Sequence, residues 1–180
     1  MKTLSSRLLA IFALTTLVSL ACNLRAETKR PNILWLVGEN MKLDLGCYGT
    51  ENVKTPNLDG LAAKGERYTH VFSTSPVCAP SRSAFFVGMY QTSSDTHNMR
   101  SHREDDYRLP EGVRPLTHRL MDVGYFTANI ATMNGEEVGS AKLDLNFVNE
   151  GKLYDTDKWE DLKSNQPFFA QVNMLEAEYD

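Results

Sequence analysis

The stretch "PNILWLVGEN", residues 31–40, decides how the rest of the chain is read. Residues 31–37 form one apolar run of strand length that begins at a proline and stops at Gly38. This is the pattern of a strand buried on both faces, as in a parallel sheet covered by helices. The polar turn that follows, "GENMKLDLGCYG" (38–49), brings Glu39, Asn40 and Asp44 to the carboxyl end of that strand, where open α/β sheets gather their ligands.

Outward from this strand the pattern alternates. "TPNLDGLAAKG" (55–65) predicts a short helix, with Thr55 placed to cap, Pro56 at the first helical position, Leu58, Leu61 and Ala62 on one face and Gly65 as a stop. "ERYTHVFS" (66–73) reads as a strand by its period of two, with His70 as a packed or surface residue. Pro80-Ser81-Arg82 opens a helix through "SAFFVGM" (83–89), which puts Cys78 at or just before its N-terminus. Residues 92–115 are polar, charged and without periodicity, a long surface loop of the kind that often carries function. A helix over 116–124, with Leu116, Leu120 and Met121 inward, and a strand over 125–131 complete a βαβ pattern. "QPFFAQVNML" (166–175) is a further buried strand. No helix follows to close the sheet, so the chain is expected to be truncated, unless a partner or short final turn covers that edge. The fold class is therefore α/β, a mostly parallel sheet flanked by helices.

The chain has 180 residues, 42% of them hydrophobic, enough for a packed core of one domain. A net charge of −4 offers no basic face to neutralise phosphates, which excludes nucleic acid as a partner. Residues 1–26 carry a secretory signal: Lys2 and Arg7 precede an apolar segment over 8–21 that is too short to span a bilayer comfortably. Two processing sites compete. Leu24-Arg25-Ala26 before Glu27 gives a soluble exported protein, periplasmic or extracellular, whereas Ser19-Leu20-Ala21-Cys22 gives a lipoprotein, with membrane attachment only if Cys22 is lipidated. Past the signal two cysteines remain, Cys47 and Cys78, and in an oxidising compartment a disulfide between them is one reading.

The stretch "SPVCAPSRSAFF" (75–86) supplies the other. Cys78-Ala79-Pro80-Ser81-Arg82 resembles the recognition core of the sulfatase family, in which the cysteine is oxidised to formylglycine by a maturation enzyme. The neighbouring "RPNILWLV", "LGCYG" and "TPNLDGLAAKGERYTH" agree with that family in order and spacing. "GYFTAN" and "PFFAQVN" are similar to bacterial members related to iduronate sulfatases. The resemblance implies an alkaline-phosphatase-like fold and makes residues 27–180 the N-terminal portion of a sulfatase catalytic domain. It implies hydrolysis of a sulfuric ester of a small molecule or saccharide by a hydrated aldehyde at position 78, where one hydroxyl attacks sulfur and the other releases sulfate. The resemblance also implies a divalent cation, usually calcium, for which Glu39, Asn40 and residue 78 are the matching ligands. Asn40 stands where the common pattern has an acid, which lowers the expected affinity. Arg82 is placed to hold the diol or the metal site, and Lys142 in "VGSAKLDLNF" matches a sulfate-gripping lysine or is a solvated surface charge. His97 and Arg100 (with Asn98 and His102) either contact substrate at the rim or belong to a hydrated loop. After the last strand, Glu176, Glu178 and Asp180 stand where many members have a histidine. Two alternatives accompany this reading: an inactive sulfatase-like fragment or binding domain, and a phosphonate or phosphate ester hydrolase of the same superfamily.

Overall fold

The apolar runs pair into one sheet in the computed structural model, which describes residues 29–102 and 104–174. In chain order the elements are β1 (Ile33–Gly38), α1 (Pro56–Ala62), α2 (Cys78–Val87), α3 (Leu116–Asp122), β2 (Phe126–Met133), β3 (Glu136–Glu137), β4 (Thr156–Lys158) and β5 (Phe168–Met174). The strand order is β1-β5-β2-β3, with β4 also on β2. All pairings are parallel except the short β2–β3 contact. Parallel pairing brings the carboxyl ends of β1, β5 and β2 to one edge, so Glu39 and Asn173 become neighbours although they lie far apart in sequence. Residues 1–26, expected to carry a signal, and residues 175–180, with Glu176, Glu178 and Asp180, lie outside the described residues. No described helix is long and apolar enough to cross a membrane.

Register decides what each face carries. Trp35 and Asn129 are both opposite Gln171, so with a period of two one face holds Trp35, Phe169, Gln171, Asn173, Thr127 and Asn129. Helix α2 packs on this face through Phe85, whose ring lies 5.0 Å from that of Trp35 in an edge-on contact. The opposite face carries the apolar core of Ala128, Ile130, Ala170 and Val172, closed by Leu162 from the turn Trp159–Lys163.

Two expectations are corrected. Strand β1 is not covered on both faces: Leu34 and Leu36 are each 45% exposed, because the turn over 159–163 reaches β2 and not the β1 edge. Residues 66–73 form no strand. Their alternation supplies two faces but no neighbouring strand, and Phe72 is left 84% exposed. Helix α2 starts at Cys78, which stands at the helix N-terminus as expected, with Pro80 two residues further in. The helix over 116–124 and the strands over 125–131 and 166–175 form within two residues of expectation. In α3 the fully buried residue is Thr117, while Leu116, Leu120 and Met121 are half-buried.

The segment after β3 crosses β5 closely. A Cβ on Gly139 would lie 2.9 Å from the Asn173 carbonyl oxygen and 3.2 Å from that of Ile130, so only glycine fits. Gly139→Ala is expected to cost about 1–3 kcal/mol by overpacking against backbone that cannot move aside. Gly60→Ala, in α1 with nothing near the new methyl, is expected to gain about 0.4–1 kcal/mol. Urea unfolding of both variants checks the contrast.

Candidate active site

Helix α2 opens at Cys78 because Val77 is extended (φ −135°, ψ 147°) while its carbonyl already accepts the Ser81 N–H at 2.9 Å. Pro80 lies in the first turn, where an amide would find no partner within the helix, and Gly88 closes the helix in the left-handed region at φ 70°. Ser83, fully buried, donates to the Ala79 carbonyl (2.7 Å) and accepts from the Asn146 amide (2.9 Å), which ties the helix to the segment over 138–147. Cys78 thus sits at a helix end whose first amides and dipole favour an anion. It lines a cavity of about 440 Å³ together with Glu39, Asn40, Ser81 and Arg82. Cys47 and Cys78 are both free thiols, so the disulfide reading is set aside; the Cys47 amide instead donates to Asp59.

One turn into α2, the guanidinium of Arg82 is buried and forms an ion pair with the buried Glu39 carboxylate. Its Nη1 donates to Asn173 Oδ1 at 3.1 Å and to the Lys142 carbonyl at 3.5 Å. The Lys142 ammonium is 3.6 Å from the other Glu39 oxygen. Two cations thus meet one carboxylate at the cavity floor, in a water-poor setting where charges act strongly. Next to it, Asn40 has φ 54°, a left-handed conformation that asparagine adopts more readily than most residues. Its identity is therefore explained by backbone shape as well as by any ligand role.

The structure brings Glu39, Asn40, Cys78, Arg82 and Lys142 together. His97 and Arg100 do not line this cavity. Arg100 is paired with Asp144 through two hydrogen bonds of 3.2 and 3.4 Å, two residues beyond Lys142, and His97 is 3.7 Å from Asp95. Sequence reasoning missed the amides under the site: Asn173, Gln171 and Asn129 are buried in β5 and β2, and Tyr154 donates to Gln171 Oε1 at 3.0 Å. Burial pushes the Tyr154 phenol far above its ordinary value. A readable signal existed, since Gln171 and Asn173 are spaced by two in an otherwise apolar strand and so share one buried face.

Glu39 and Asn40 are hard oxygen donors, right in kind for calcium. Two donors do not fill the roughly six to eight oxygen positions that calcium takes. No cluster of three or more His, Cys, Asp or Glu suited to a metal occurs among the described residues. Glu39 is moreover engaged by Arg82 and Lys142, so the chemistry assigned to this chain's residues does not run through a cation.

Comparison with known proteins points to one family. The family model described as Sulfatase matches residues 31–137. An ulvan-active sulfatase of Formosa agariphila is 34% identical over 161 residues, which cover 83% of this chain and 25% of that protein. An N-acetylglucosamine-6-O-sulfatase of Bacteroides thetaiotaomicron is 30% identical over 169 residues, 91% of this chain and 29% of the relative. Among solved structures, one in complex with its substrate D-glucosamine-2-N,6-O-disulfate superposes with a TM-score of 0.61 at 17% identity, over 82% of this chain and 35% of the other. That likeness concerns the fold, which is the alkaline-phosphatase-like α/β fold of sulfatases. The chain spans about a quarter of the length of these curated relatives.

In the long loop, both ring nitrogens of His102 face oxygen: Nδ1 meets Asp105 Oδ2 at 2.7 Å and Nε2 meets the Asp95 carbonyl at 2.6 Å, with the ring stacked on Tyr107. Two acceptors require two donors, the imidazolium form. The hydrogen bond to Asp105, joined by that to Asp95 and opposed by burial, raises His102 above its ordinary 6.5, and the same bond lowers Asp105 below 3.8. For His102, the stabilisation is complete below about 6.5 and is lost as pH rises through the higher folded value. For Asp105, it is complete above about 3.8 and is lost as pH falls through the lower folded value. The loop contact is therefore strongest in the window between. An NMR pH titration of His102 is expected to show a midpoint above 6.5 that drops in Asp105→Asn.

Proposed function

This chain belongs to the sulfatase family, and from that premise we propose that it serves the hydrolysis of a sulfuric ester, with residue 78, converted to formylglycine, as the nucleophile. The observation that carries this reading is the position of Cys78 as the first residue of a ten-residue helix, on a cavity floored by Arg82, Glu39 and, through Glu39, Lys142. Maturation is a two-electron oxidation of the Cys78 Cβ by an external oxidant on a formylglycine-generating enzyme: the C–S bond breaks, sulfur leaves as sulfide and an aldehyde oxygen enters. The matured side chain supplies a hydrated aldehyde, one hydroxyl to take up the sulfuryl group and a second whose deprotonation lets sulfate go without attack by a further water.

This chain's own residues bind and orient. Arg82 and Lys142 bring positive charge to the site that receives the anionic sulfate ester, and the first amides of α2 add donors for its oxygens. Arg82 is held from three sides, so its planar fork reaches the anion without further ordering. Glu39, Asn40 and the matured residue 78 would supply part of a calcium shell and not the whole of it. Support for a saccharide substrate comes from the relatives, one named as ulvan-active and one as an N-acetylglucosamine-6-O-sulfatase. Arg100, joined through Asp144 to the segment that bears Lys142, and His97 in the same loop are the proposed saccharide contacts. Residues 1–26 are proposed as an export signal. The shortage of cation donors among the described residues favours a second reading, a sulfatase-like fragment or binding domain that holds sulfate esters without turnover.

Co-production with a formylglycine-generating enzyme tests the proposal. The peptide containing residue 78 is expected to lose sulfur and two hydrogens and gain one oxygen. Hydrolysis of 4-nitrophenyl sulfate is expected to be weak in these 180 residues and absent in Cys78→Ala. Faster hydrolysis of 4-nitrophenyl phosphate by the matured chain would move the assignment to phosphate esters, and an unmodified thiol in every copy would remove the nucleophile.

A further inference from the structure

The end of β5 contains an amide whose every hydrogen-bonding position is used. Asn173 is fully buried, and its Oδ1 accepts from Arg82 Nη1 at 3.1 Å and from Gln171 Nε2 at 2.9 Å. Its Nδ2 donates to Asn129 Oδ1 at 3.0 Å and to the carbonyls of Ser140 and Lys142 at 3.2 and 3.4 Å. A guanidinium only donates and a backbone carbonyl only accepts, so the side chain has to be an amide, turned with oxygen toward Arg82 and nitrogen toward the 140–142 backbone. The Asn173 carbonyl oxygen also accepts the Ser140 amide at 3.1 Å, beside the crossing where Gly139 leaves no room for a side chain. The segment carrying Lys142 is thus fastened to β5 at both backbone and side chain.

We propose that Asn173 is a positioning residue, one amide that sets the Arg82 guanidinium with its oxygen and the Lys142-bearing backbone with its nitrogen, so that both cations converge on Glu39 beside Cys78. The consequence for sulfate rests on the reading above; the convergence itself does not. Aspartate at 173 keeps an acceptor for Arg82 but has no donor for the Ser140 and Lys142 carbonyls, which separates the two halves of the role. Alanine removes both.

The test is acylation of lysines in the full 180-residue chain with an activated acetyl ester, followed residue by residue by mass spectrometry. Lys152, 63% exposed against 14% for Lys142, is the internal standard. In the native sequence Lys142 is expected to react more slowly than Lys152. In Asn173→Asp the Lys142 rate is expected to rise about tenfold, the usual scale for loss of one to two buried hydrogen bonds, with Lys152 unchanged. Asn173→Ala is expected to release Lys142 at least as much. An unchanged Lys142 rate in a folded variant overturns the proposal. So does loss of the cooperative unfolding transition in both variants, which would make Asn173 a residue of the fold and not of position. Sodium sulfate is expected to slow Lys142 acylation in the native chain. Failure of that arm alone counts against the sulfate reading and leaves the role of Asn173 standing.

Discussion

A buried guanidinium organises this molecule. Arg82 lies one turn into helix α2, out of contact with water, and a charge so placed is tolerated only where its partners are fixed. Those partners come from three separate places: Glu39 after β1, Asn173 at the end of β5, and the carbonyl of Lys142 on the segment that crosses β5. The carboxyl ends of the parallel strands and the helix bearing Cys78 are therefore held to one another by one side chain. Displacing Glu39 takes its carboxylate from this buried cation, and displacing Asn173 or the Lys142 carbonyl takes one of its hydrogen bonds.

The sheet is built to permit this. One face is apolar, with Ile130, Val172 and Leu162 at its centre, and supplies the burial that folding requires. The other face carries Gln171, Asn173 and Asn129 in register and meets α2. Buried amides are costly unless satisfied, and here they are linked in series, Tyr154 to Gln171, Gln171 to Asn173, Asn173 to Asn129, with Asn129 Nδ2 finding no acceptor among the described residues. Stability and site geometry are thereby assigned to opposite sides of the same strands. The guanidinium and the ammonium that meet at Glu39 thereby lie beside a helix N-terminus.

Much of this was legible in the sequence where the signal is local. Apolar runs, a proline at a helix start and a glycine stop placed β1, α1, α2, α3, β2 and β5, and family spacing singled out Glu39, Asn40, Cys78, Arg82 and Lys142. The failures share a cause, which is that partners are not local. The alternation over 66–73 lacks a neighbouring strand, and Leu34 and Leu36 lack a cover, so propensity alone misjudged both. Strands β3 and β4 are two and three residues long and exist only because β2 offers them an edge. Asn173 passed as part of an apolar strand because its partners lie 91, 44 and about 30 residues away in sequence.

Whether the Arg82–Glu39 pair holds the helix to the sheet is tested most directly by a double-mutant cycle on unfolding free energy with Arg82→Leu, Glu39→Gln and both together. Each single change is expected to cost about 3–5 kcal/mol by taking from a buried charge the ion-pair partner that lies nearest it. The double variant is expected to lose less than the two combined, with a coupling of at least about 2 kcal/mol. Effects that add to within about 0.5 kcal/mol would contradict the account and make the pair incidental to the fold.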